Sequence, residues 1–152
     1  MKKICIVVFL IFTSFEIKAE LLKASTLLTP KQVIMIQLNA LSNNDYPYEN
    51  FGIKQTWEFA HPNNRQFTGP LENFTKMMFS PAYSVMINHK SHKINELQIT
   101  DDMAFYFIEL IDQKGTKFGF NWMVQKVNTK GNFFECWMTT SVTSPMKFGE
   151  ST

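Results

Sequence analysis

The chain has 152 residues, with fifteen Lys and Arg against thirteen Asp and Glu and 45% hydrophobic residues, which bounds it to one domain around one core. Lys2, Lys3, Lys18 and Glu16 all fall in the first nineteen residues, so the remainder carries twelve basic and twelve acidic residues. A neutral chain without a basic run lacks the electrostatic footprint of a nucleic-acid binder.

Met1-Lys2-Lys3 precedes nine apolar residues from Ile4 to Phe12, and a short polar stretch then ends in Ile17-Lys18-Ala19. That order predicts a secretory signal peptide over 1–19, cleaved after Ala19, with an uncleaved anchor as the alternative. The apolar run is too short for a membrane span, which needs about 20 residues. The expectation is an exported protein, periplasmic or secreted, with no stable membrane anchor after cleavage. Cys136 is then the one cysteine left, so no intramolecular disulfide can form and the thiol reads as a small buried hydrophobe, with a reactive or dimer-linking group as the alternative.

Residues 20–28 read as a flexible leader, and the domain is expected over 29–143 with a tail at 144–152. Thr29-Pro30-Lys31-Gln32 is a helix start, with a Thr cap, Pro at the first position and Gln three residues after the cap. Val33, Ile34, Leu38 and Leu41 form its apolar stripe, and Asn43-Asn44-Asp45 ends it. A second helix is predicted over 51–60, burying Phe51, Ile53 and Trp57 and stopping before Pro62, because a residue preceding proline is pushed out of the α region. Residues 63–69 read as a polar loop. Pro70 opens a third helix carrying Leu71, Phe74, Met77 and Met78, and Ser80-Pro81 closes it.

From Tyr83 onward the pattern becomes strand-like, over 83–88, 93–99, 103–111, 118–127 and 133–142, with short polar or Gly-containing turns between. Phe118, Phe120, Trp122 and Val124 alternate with Gly119, Asn121, Met123 and Gln125, so one face of that strand is apolar and should meet the helices. Three helices on one face of a curved antiparallel sheet of about five strands is an α+β layer architecture that commonly leaves a hollow between the layers.

Residues 52–83, reading GIKQTWEFAHPNNRQFTGPLENFTKMMFSPAY, resemble the helix-loop-helix block of domain-of-unknown-function family 4864. Cys136-Trp137-Met138-Thr139-Thr140-Ser141-Val142 resembles its closing strand. The resemblance runs over about 29–142 and is most specific in Ala60-His61-Pro62-x-Asn64-Arg65 and Thr68-Gly69-Pro70-Leu71. It implies the nuclear transport factor 2-like cone, a fold used by isomerases, dehydratases, cyclases, ligand-binding domains and association modules, so fold does not decide function. The chain departs from the family pattern at His61, where a small residue is usual, and at Thr140, where an acid is frequent.

Candidate chemistry is sparse. His61, at a helix break, is either a cap or an acid-base group. Glu135 shares one strand face with Trp137, Thr139 and Ser141, while Cys136, Met138, Thr140 and Val142 share the other. If the first face lines the hollow, Glu135 against Trp137 is a usable acid or base; the preferred reading puts Glu135 in water and Cys136 and Met138 under the helices. Arg65 is the single arginine, and its planar fork beside Asn64 either clamps an anionic ligand or ties down its loop. Trp122 and Trp137 are candidate ligand-facing aromatics. His89 and His92 flank a turn with no third ligand in reach, so neither a metal nor a cofactor is expected.

The leading reading is an exported, non-catalytic module that binds a small apolar ligand or a protein partner, with a homodimer through the open sheet face as the expected association. The alternatives are a small lyase, isomerase or hydrolase of polyketide-cyclase-like type using Glu135 or His61, and a cell-envelope assembly factor.

Overall fold

In a computed structural model, residues 19–150 are described; the predicted signal peptide, apart from Ala19, lies outside them. Among the described residues no helix is long and apolar enough to cross a membrane. Within residues 19–150 four helices, α1 (Pro30–Ser42), α2 (Phe51–Glu58), α3 (Pro62–Thr68) and α4 (Leu71–Met78), precede five strands, β1 (Ser91–Ile99), β2 (Met103–Ile111), β3 (Thr116–Lys126), β4 (Trp137–Val142) and β5 (Met146–Glu150). The sheet is antiparallel in the order β1-β2-β3-β4, and β5 pairs with the opposite end of β3 from β4.

The first helix begins as its sequence dictates. The Thr29 hydroxyl accepts from the Gln32 amide at 3.2 Å while the Gln32 side chain accepts from the Thr29 amide at 2.8 Å, and Pro30 occupies the first turn. Val33, Ile34, Leu38 and Leu41 are fully buried. Each such side chain withdrawn from water contributes about 2 kcal/mol. They meet Ala104, Tyr106, Ile108 and Leu110 of β2 and Phe120, Trp122 and Val124 of β3, the apolar face expected from the alternation.

Helix α2 crosses α1 so closely that a Cβ on Gly52 would overlap the backbone carbonyl of Ala40. The crossing is locked by Asn44, whose carbonyl oxygen accepts from Ile53 N–H at 3.0 Å and whose amide group donates to Asp45 and Asn50. Residues 20–28 have no regular structure, yet they do not hang free as a leader. Leu22 N–H donates to Gln55 Oε1 at 2.8 Å and Gln55 Nε2 donates back to Leu22 O at 2.9 Å, while Ala24 and Leu28 pack on the core.

Four further expectations need correction. The expected loop 63–69 is α3: Pro62 opens it, the His61 imidazole Nδ1 accepts from Asn63 N–H at 3.1 Å, and Gly69 at φ 75 ends it. It buries no residue fully, so it has no apolar stripe for a periodicity argument to detect. The expected strand 83–88 is a short 3₁₀ turn, Ser84–Met86, that buries Met86. The expected strand 133–142 starts only at Trp137, since residues 133–136 form a turn with Glu135 at φ 61. The expected tail 144–152 contains β5, whose Met146 lies opposite Gly119.

Candidate functional site

Between the helices and the β3–β4 end of the sheet lies an open cavity of about 330 Å³. That is the lower end of the range for small-molecule sites. Gln37 and Leu41 of α1, Thr56 of α2, Phe74, Met77 and Met78 of α4, and Tyr83 and Met86 beyond it form one side. Trp122 of β3 and Thr139, Thr140, Ser141 and Val142 of β4 form the other, and Asn64, Phe67 and Thr68 bring α3 to it. The three methionines give adaptable apolar walls. Phe67 is 91% exposed, an apolar ring left in water beside an apolar hollow.

A β-bulge shapes the sheet side. Val124 stands opposite Thr139 and Met123 opposite Ser141, leaving Thr140 as the extra residue. The bulge lets Thr139 and Val142, three positions apart, share the inner side, and the Thr140 hydroxyl donates to Met123 O at 3.2 Å. At the floor Trp122 Nε1–H donates to Thr139 Oγ1 at 3.0 Å, Thr139 donates to Gln37 Oε1 at 2.6 Å, and Gln37 Nε2 donates to Thr56 O at 3.1 Å. This chain joins sheet, α1 and α2 through groups that would otherwise be stranded without water. Tyr83 reaches across to β4, its hydroxyl donating to Val142 O at 3.1 Å.

Of the candidates read from sequence, Asn64 and Trp122 line the cavity, and Asn64 Nδ2 donates to Thr139 O at 3.2 Å. The others lie elsewhere. Arg65 donates from Nε to Ala60 O at 2.9 Å and from Nη2 to Trp57 O and Glu58 O at 2.9 and 3.2 Å, and it stacks on the rings of Trp57 and Phe133. It caps the carboxyl end of α2, which is the loop-tying role. His61 is buried against β4, its backbone N–H donating to Thr139 O at 2.8 Å, and burial holds its imidazole below its usual pKa. Trp137 is buried in the main core with the Lys126 ammonium 5.1 Å over its ring.

Glu135 is exposed in the turn before β4, so it does not share a strand face with Trp137. That agrees with the preferred reading for Glu135 and not with the preferred reading for its neighbours. Trp137 faces the helices, whereas Cys136 and Met138 pack in a second cluster with Val127, Phe133 and Ala24. Burial pushes the Cys136 thiol up, away from the reactive thiolate. His89 is buried and its Nδ1 lies 2.7 Å from Met86 O, with its Nε2 2.7 Å from His92 Nδ1. Met86 O only accepts, so His89 carries its proton on Nδ1 and accepts at Nε2 from His92. Among the described residues no three His, Cys, Asp or Glu side chains are placed to share a metal.

Sequence reasoning missed Gln37, Thr139, Tyr83 and Met86 as cavity residues. Gln37 carried a signal: it interrupts the apolar stripe of α1 between Ile34 and Leu38, so it had to be a buried amide needing partners. Tyr83 and Met86 carry a strand-like pattern in sequence, and a strand there would not reach the cavity. No family model, curated protein or solved structure matches the chain.

Proposed function

We propose that this is an exported, non-catalytic binding module of the nuclear transport factor 2-like kind, holding a small apolar ligand in the helix–sheet cavity. The observation that carries the reading is an open cavity walled by Leu, Phe, Met and Trp with no carboxylate, imidazole, amine, guanidinium or thiol among its lining residues, and with the proton of its one phenol, Tyr83, held by Val142 O. Proton-transfer chemistry of the isomerase or dehydratase sort needs such a group within reach of the substrate. The two weak acid-base candidates, His61 and Glu135, are respectively tied to the backbone and exposed at a turn. The family resemblance supports the same place, because its Asn64 and Thr68 line the cavity while its Arg65 staples α3 to α2.

Met77 is half-buried where the cavity meets the edge of the main core, so Met77→Trp adds bulk to the hollow without replacing a fully buried side chain. The variant should fold with undiminished cooperativity and lose small apolar ligands that stabilise the parent chain. Equal stabilisation of parent and variant would remove the cavity from the account.

A second reading, association through the sheet, is favoured by Leu97, Met146 and Phe148, which are 61%, 45% and 50% exposed. It predicts a homodimer in sedimentation equilibrium at tens of micromolar that Phe148→Lys dissociates.

A further inference from the structure

We propose that the ligand of this cavity is an uncharged, mainly apolar molecule bearing a hydrogen-bond donor such as an alcohol, phenol or N–H group. The proposal rests on the cavity being a ligand site and adds which chemistry it selects. Five of the six lining hydroxyls already give their proton to acceptors within the chain. Thr56 donates to Gly52 O at 2.8 Å, Thr68 to Asn64 O at 3.0 Å, Tyr83 to Val142 O, Thr139 to Gln37 Oε1 and Thr140 to Met123 O. The Trp122 indole N–H is committed to Thr139. Each hydroxyl has one proton, so these groups have only lone pairs left to offer.

The Asn64 amide is oriented by its bond to Thr139 O, and its Oδ1 receives no hydrogen bond from the described residues. Against these acceptors the lining side chains set one further N–H each on Asn64 and Gln37 and the hydroxyl of Ser141, which is exposed on β4, so open acceptors outnumber open donors. An anion entering it would meet no lining cation, and the adjacent Arg65 has its fork on three backbone carbonyls. A buried charge without a partner is strongly disfavoured, whereas a neutral donor satisfies an acceptor that would otherwise lose its water. A cation likewise finds no carboxylate there.

The test is a calorimetric titration, at pH 7, of the chain from residue 20 with four probes that share a ring system: naphthalene, 2-naphthol, 2-naphthoate and 2-naphthylmethylammonium. The expected order has 2-naphthol at least tenfold tighter than either ion and several-fold tighter than naphthalene. Asn64→Leu should close the gap between 2-naphthol and naphthalene. Naphthoate or the ammonium binding as tightly as 2-naphthol would overturn the uncharged-ligand claim while leaving the cavity as a site. Naphthalene matching 2-naphthol would overturn the donor claim. Failure of all four to bind would count against the cavity reading itself, and the proposal would fall with it. If Asn64→Leu does not fold, the order measured on the parent chain decides alone.

Discussion

Acidification should load a proton onto His89 only when the chain unfolds, and the cost can be worked from its surroundings. The imidazole is 3% exposed and gives its Nδ1 proton to Met86 O, while Nε2 accepts from His92. Burial, the largest cause, lowers its pKa from 6.5 to about 4. Between those values the unfolded chain binds the extra proton and the folded chain does not, so stability is full above 6.5 and falls as the pH drops toward 4. At about 1.4 kcal/mol per pKa unit the total is about 3 kcal/mol, of which about 2 kcal/mol is lost between pH 7 and pH 5. His92, also held low by burial, adds loss in the same direction. In His89→Gln the side chain can still donate to Met86 O and accept from His92, but it does not titrate. Urea unfolding at both pH values should show the variant losing about 2 kcal/mol less than the parent over that interval. Equal losses would refute the assignment of a buried neutral His89.

Three further outcomes follow from single contacts. Thr139→Val strands both the Trp122 N–H and the Gln37 carbonyl oxygen and should cost about 3 kcal/mol in urea unfolding, whereas Thr139→Ser, which keeps the hydroxyl, should cost about 1 kcal/mol or less. Tyr106 buries a hydroxyl with no partner among the described residues, and burial pushes its pKa up to about 12, so Tyr106→Phe should leave stability unchanged or raise it by up to about 1 kcal/mol. A clear loss there would reveal a partner for the hydroxyl. Gly52→Ala should lose about 2 kcal/mol or more by thermal unfolding, because the new Cβ meets the Ala40 carbonyl; a helical glycine free of that contact would instead gain about 1 kcal/mol.

What sequence reveals here follows from range. The start of α1 and its apolar stripe are local, written in Thr29-Pro30 and in spacing, and the structure keeps them. The inward face of β3 is equally local. Helix α3 is set by contacts outside itself, the His61 cap and the Arg65 fork on α2, so its own residues read as loop. Strand β5 exists because the other end of β3 offers an unpaired edge beyond β4, which Met146 and Lys147 alone do not announce. The faces of β4 are equally hidden from local pattern. Glu135 leaves the strand at a positive φ, and the Thr140 bulge breaks the simple alternation on which the two-face reading depended. That Asn64 and Trp122 line the cavity is in keeping with local signals, an amide in a specific motif and an aromatic on an inward strand face. Tyr83, Met86 and Thr139 reach the cavity only through tertiary placement.

The central claim, that the helix–sheet cavity is a ligand site, is tested most directly by native mass spectrometry of the chain purified gently from its own host, alongside Met77→Trp. A stoichiometric, uncharged small-molecule adduct is expected on the parent chain and absent from the variant. Clean protein masses for both, or the same adduct on both, would contradict it.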